Sequence, residues 1–337
     1  MSFENMGMKK PRNLLLSLCM SLAFASQSAL AGDKTVNIPG PAGSLQACLQ
    51  IPEGKTQAIV VMIPGSGPTD RNGNGPFIQT NTYRLLAEGL SGQHIASLRI
   101  DKRGMFGSKA AIANPNQVTI ADYAQDVRHW AQFARQQTGL PCAWLLGHSE
   151  GGLVALTAAA SPDVCGLILV ATAGRPFGNV LREQLHANPA NVPLLDDAER
   201  ILNALEQGKP VAQDDIPPAL LPLFHPAVQG FLIDEMRLDP ARLIAAVTQP
   251  VLIVQGDQDL QVKLADATLL KAAQTNARLL VLKNTNHLLK NVGTGDLAAN
   301  MASYQNPQLP LSDGLVSGVS DFIGTHQAPK PAAQATP

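Results

Sequence analysis

The sequence predicts an α/β domain with a mostly parallel central sheet flanked by helices and a helical cap inserted late in the chain. Three observations predict it. Short, mostly apolar runs recur, most of them ending at or near Gly, Pro or Asp. Longer helical patterns alternate with them. One long stretch, 175–248, carries helical patterns and many prolines but no strand. Unbroken apolar runs fit strands buried on both faces of a parallel sheet, and strand–helix alternation gives right-handed crossovers.

The elements follow in order. Lys34–Gln50 reads as an antiparallel strand pair at the sheet edge. Ala58–Ile63, Ile95–Ile100, Ala143–Leu146, Leu167–Ala171, Val251–Gln255 and Arg278–Leu282 read as core strands. Helical patterns cover Tyr83–Ser91, Ile120–Thr138, Gly151–Ala160 and Lys263–Thr275, and within the cap Leu194–Gln207 and Ala227–Leu238. The domain is expected over 32–325, and the Ala-, Pro- and Gln-rich tail 326–337 is expected to be disordered.

The N-terminus reads differently. Lys9, Lys10 and Arg12 precede an apolar run, Leu14 to Phe24, and Ser28-Ala29-Leu30-Ala31 puts small residues at −3 and −1 of a cut before Gly32. That is the pattern of a secretory signal peptide over 1–31, and Met8 makes the more usual start. The run is shorter than the roughly 20 residues of a membrane span, so the mature chain is expected to be exported, periplasmic or secreted, with no stable membrane anchor. The chain of 337 residues has 25 basic and 26 acidic side chains. No basic surplus is available for a phosphate backbone, so nucleic acid is not an expected partner. No cysteine shows metal-site spacing with histidine, and nothing calls for a metal or a nucleotide.

The chemistry concentrates at Gly147-His148-Ser149-Glu150-Gly151. This G-x-S-x-G stretch lies between a buried-strand run and a small-residue helix, the setting of a nucleophile elbow. Small flanking residues let strand and helix approach, and the helix N-terminus faces developing negative charge. A serine nucleophile needs a base, and this elbow orders its partners as Ser, acid, His. His94 and His129 precede Ser149, His148 points away from it, His186 and His225 fall in the cap and His326 in the tail. His287 remains. The acid follows the preceding strand, where Asp257 and Asp259 both stand.

Three blocks carry a resemblance: Ile63-Pro64-Gly65-Ser66-Gly67-Pro68-Thr69-Asp70-Arg71, Asp101-Lys102-Arg103-Gly104 and Gly147-His148-Ser149-Glu150-Gly151-Gly152. With them the chain resembles the α/β-hydrolase superfamily across nearly the whole mature length, and within it exported bacterial serine carboxylesterases. The resemblance implies the α/β-hydrolase fold and cleavage of small acyl esters through an acyl-enzyme, without a cofactor. The G-x-x-D spacing familiar from that fold selects Asp259, leaving Asp257 to shape the turn. The resemblance also places oxyanion N–H groups at Ser66, with Gly67 as fallback, and at Glu150. The Glu150 side chain is expected to stabilise local structure. Arg71 is read either as a ligand for a substrate carboxylate or as half of a structural ion pair. Relatives often read D-x-R-G-x-G-x-S; here Phe106 replaces the middle glycine, although Gly107-Ser108 follow, and the loop is expected to take a different shape and narrow the pocket edge without abolishing the chemistry. An aminopeptidase or thioesterase on the same fold is the nearest rival, and a non-catalytic binding protein a more distant one. In the implied topology the strands after Cys142 and Cys165 are parallel neighbours, so these two cysteines are expected to pair if their side chains face each other, leaving Cys48 free. The alternative is two reduced, buried thiols.

Overall fold

The computed structural model describes residues 32–293 and 295–326. The expected signal segment and the tail beyond His326 lie outside the described residues. The chain opens with the antiparallel pair β1 (Asp33–Pro39) and β2 (Ser44–Gln50), then β3 (Ala58–Ile63). A two-residue pair, β4 (Asn74–Gly75) and β5 (Ile78–Gln79), precedes α1 (Thr82–Ser91). β6 (Ile95–Ile100), α2 (Ile120–Thr138), β7 (Ala143–His148), α3 (Glu150–Ala158) and β8 (Val164–Val170) follow. The cap region holds α4 (Phe177–Ala187), α5 (Leu195–Glu206), α6 (Leu221–Phe224) and α7 (Pro226–Met236), and α8 (Pro240–Ala245) returns to the sheet. The chain ends with β9 (Val251–Gly256), α9 (Leu264–Ala273), β10 (Arg278–Leu282), α10 (Leu297–Ser303) and α11 (Leu315–Thr325).

The eight-stranded sheet runs β1-β2-β6-β3-β7-β8-β9-β10. β1/β2 and β2/β6 are antiparallel, and the remaining neighbours are parallel. This is the α/β-hydrolase fold expected from the sequence. Alternate residues of one strand feed opposite cores. Ile59, Val61 and Ile63 of β3 belong to the core that α2 and α3 cover, while Val60 and Met62 belong to the core on the opposite face with residues of α1 and α11. Burial on both faces explains why these strands read as continuous apolar runs. Helix α2 is fixed at its start by a reciprocal Thr119–Asp122 capping box and stopped by Gly139 at φ 70.

The cap has a core of its own, in which Leu181, Ile201, Leu205, Phe224 and Leu232 pack together. Arg175, at its start, is held to Asp266 of α9 through Nε and Nη2, both at 2.8 Å, and Asp266 is fully buried. At the opposite end of the sheet Cys142 and Cys165 are joined as a disulfide with Cα atoms 5.2 Å apart, and Cys48 is a buried free thiol. His326, which the sequence assigned to the tail, instead stacks on Phe322 with ring centroids 4.3 Å apart. Among the described residues, no helix is long and apolar enough to cross a membrane.

Candidate active site

The turn between β7 and α3 puts Ser149 at φ 55, ψ −122, a backbone conformation rare for any residue with a side chain. Its glycines are demanded by the neighbours. A Cβ on Gly147 would sit 2.1 Å from the Gly151 carbonyl oxygen, and one on Gly151 2.3 Å from that of Ile63. The turn therefore lifts Ser149 to the C-terminal edge of the sheet, where α/β proteins form their clefts. The amide of Glu150, first in α3, has no intrahelical acceptor and no other acceptor among the described residues.

His287 stands in the loop after β10, which the buried Asn286 shapes. The Asn286 side-chain oxygen accepts the amides of Leu288, at 3.1 Å, and Lys290, at 3.0 Å. His287 Nδ1 donates to Asp259 Oδ2 at 2.8 Å. Asp259 Oδ1 accepts the amides of Gln261 and Val262 at 2.8 and 2.9 Å, and Gln255 Nε2 reaches Oδ2 at 3.1 Å. Burial alone would raise the Asp259 carboxyl; the charge and hydrogen bond of His287 and the two amides outweigh it and hold it below the usual carboxylate range. Asp257 is exposed, and its carboxylate contacts the neighbouring Gln258 side chain. Ser149 and His287 line one cavity of about 70 Å³, together with Gly65, Ser66 and His148.

His148 does turn from the Ser149 side chain, and sequence reasoning missed what it turns toward. The Gly65 amide donates to Tyr83 Oη at 3.2 Å, and Tyr83 Oη and His148 Nδ1 lie 2.9 Å apart. His148 Nε2 is 2.8 Å from the backbone oxygen of His287. The carbonyl of His287 only accepts, so Nε2 carries the hydrogen and Nδ1 accepts from the tyrosine. Burial, aided by the nearby His287, lowers His148 to about 3, so it stays neutral. This chain ties the Gly65 loop to the His287 loop beneath Ser149.

Lys102 makes a second tie. Its Nζ lies 2.8 Å from Glu150 Oε1 and donates to the Gly65 oxygen at 2.7 Å, with both side chains buried. The Glu150 side chain thus anchors the turn locally. Arg71 is engaged by Asp101, at 2.7 Å, and by Gln46, so the ion-pair reading of Arg71 is the one the structure carries. Phe106 takes φ 42, the left-handed conformation that glycine adopts most readily, and is 43 % exposed. Gly104 and Met105 of the same loop line a cavity wall. Among the described residues no three His, Cys, Asp or Glu side chains gather as a metal site requires.

Residues 60–290 match the Alpha/beta hydrolase family, and the chain belongs to it. Esterase EstD from Thermotoga maritima is 28% identical over 263 residues, covering 76% of this chain; the chain spans 60% of that relative's length. Among solved structures, alpha/beta hydrolase GrgF from Penicillium sp. sh18 superposes with a TM-score of 0.57 at 18% identity, covering 88% of this chain and 99% of that one. Est1E from Butyrivibrio proteoclasticus does so with 0.53 at 16%, covering 87% and 98%. These two likenesses carry the fold.

Proposed function

We propose that the chain is a serine hydrolase that cleaves small carboxylic esters, with Ser149 as nucleophile, His287 as general base and Asp259 as the orienting acid. The observation that carries this reading is the Asp259–His287 hydrogen bond at the rim of the cavity that Ser149 lines. The kinship with an esterase supports it. His287 Nε2 takes the Ser149 proton as Oγ attacks the ester carbonyl, and returns it to the leaving alcohol. Water then releases the acyl group through the same residues. Asp259 holds Nδ1–H and stays ionised, as its depressed pKa requires. The backbone N–H groups of Ser66 and Glu150 receive the oxyanion. The strained φ of Ser149 and the ties through Lys102 and Tyr83 hold this geometry before substrate arrives.

The test is a set of substitutions assayed on p-nitrophenyl esters. Ser149→Ala and His287→Ala should each lower kcat by ~10³-fold or more while the fold persists. Asp259→Asn should be severely impaired and Asp257→Asn nearly normal; the reverse order refutes the assignment. An ester panel run beside aminoacyl anilides and acyl thioesters separates esterase from peptidase and thioesterase. Export belongs to the same proposal, supported by the signal pattern of 1–31 and by a disulfide suited to an oxidising compartment. Cell fractionation tests it: recovery of an uncleaved chain in the cytoplasm would end it.

A further inference from the structure

Two larger cavities meet beneath the cap. One, about 170 Å³, includes Ser149, Leu153, Thr172 and Leu181. The other, about 380 Å³, lies between the Lys102–Met105 loop and α7 and is walled by Ile112, Val118 and Phe231. They share Ser66, Glu150, Phe177, Leu223 and Glu235. Glu235, on α7, is 3 % exposed, and its carboxyl has no hydrogen bond and no ion pair with any described residue.

The cations on these walls are already matched. Lys102 pairs with Glu150 at 2.8 Å, Arg103 with Asp126 at 2.6 Å and Asp122 at 3.1 Å, and Arg175 with Asp266 at 2.8 Å and Glu183 at 2.6 Å. Among the described residues, no positive charge lining these cavities is left over for Glu235. A buried carboxylate without a partner is strongly unfavourable. Burial first, then the charge of Glu150, push the Glu235 carboxyl well above the usual range, against the opposing pull of Lys102. Burial without a partner therefore favours its neutral acid form in the empty protein.

We infer that Glu235 receives an ammonium group of the substrate, so that the preferred esters carry an amine on the chain lying beneath the cap. This rests on the hydrolase reading of the same site and adds its substrate class. When the ammonium binds, the carboxyl releases its proton to solvent and an ion pair of the same net charge replaces the neutral acid. The surrounding apolar side chains take the methylenes and exclude the water that would weaken the pair. An ester bearing a second, anionic carboxylate would meet the carboxyl groups of Glu235 and Glu150 with no free cation and is disfavoured.

The experiment compares isosteric pairs: p-nitrophenyl heptanoate with p-nitrophenyl 6-aminohexanoate, and pentyl hexanoate with 4-aminobutyl hexanoate. In at least one pair the amino ester should have a kcat/KM about tenfold higher, a modest value for a buried ion pair, and Glu235→Gln should erase the difference while leaving the neutral esters hydrolysed. Glutamine keeps the shape of Glu235 and, like the neutral acid that burial favours, carries no charge, so the variant is expected to fold. Preference for the neutral ester in both pairs, or a preference that survives Glu235→Gln, overturns the inference. Calorimetry with hexylammonium and hexanol separates it from the esterase reading. The wild type should bind hexylammonium more tightly than hexanol and Glu235→Gln should not, even if no ester is cleaved; equal binding by the wild type overturns it.

Discussion

Replacing Tyr83 by Phe isolates the link beneath the nucleophile. The change removes one oxygen and barely alters volume, so packing against Leu86, Leu90 and Met62 persists. Two groups lose a partner: the Gly65 amide, 3.2 Å from the hydroxyl, and His148 Nδ1, 2.9 Å from it. Both are buried. Each unsatisfied group costs about 1–3 kcal/mol, and removal of the hydroxyl's own desolvation offsets part of the sum, so the net loss is roughly 2–4 kcal/mol. Urea unfolding followed by far-UV circular dichroism reads this as a lower midpoint with an unchanged slope. The loosened Gly65 loop carries Ser66, so kcat on a p-nitrophenyl ester should fall by ~10-fold, about 1.4 kcal/mol of barrier, with KM little changed. A variant within ~0.5 kcal/mol of wild type and with unaltered kcat would refute the reasoning. It would mean that the two groups re-pair with water and that the link positions nothing.

Three other outcomes are expected. Lys102→Met strands the buried Glu150 carboxylate and the Gly65 oxygen and should destabilise by ~3–5 kcal/mol, measured by urea unfolding; adding Glu150→Gln should recover part of that loss. Cys142→Ser should lower stability by ~3 kcal/mol, from loop closure over a separation of 23 residues, while kcat stays near normal because the bridge is at the far end of the sheet. Lys290 is fully buried, donates to the Leu309 oxygen at 2.6 Å and is lowered by burial to about 8. The unfolded chain keeps that proton to about 10.4 and the native chain does not, so stability contributed by this group rises from pH ~8 to ~10. Lys290→Met should flatten the rise in pH-dependent urea midpoints.

The strands were readable because burial on both faces writes itself as an unbroken apolar run, as in AIVVMI of β3 and LILV of β8. The elbow was readable because its glycines answer a local steric demand. The Asp259–His287 pairing could be anticipated only with the fold in mind, since periodicity alone left Asp257 open. His148 was misjudged in importance because the second position of G-x-S-x-G meets no local constraint. Its partners lie 65 and 139 residues away in sequence, and such distances leave no mark in a window of neighbours. Glu235 gave no signal either: on α7 it reads as an ordinary polar helix residue, and only the cap's position over the sheet buries it. Leu315, Val319, Phe322 and Ile323 of α11 do follow a helical face, but Gly318 and the serines around them mask it. The β4–β5 pair is too short to show any period.

The cap begins near Arg175 and hands back near Pro240, and both residues line the same cavity. The sheet beneath pairs β8 directly with β9, from Leu167–Val251 to Val170–Val254, independently of what the intervening residues do. With its own core and neighbouring points of attachment, the cap is an exchangeable part. A lineage could lengthen, shorten or replace it and keep the reaction while altering the diet. On the reading proposed above, Glu235 would travel with the cap, whereas Ser149, Asp259 and His287 would stay behind, so preference and chemistry would be separately heritable.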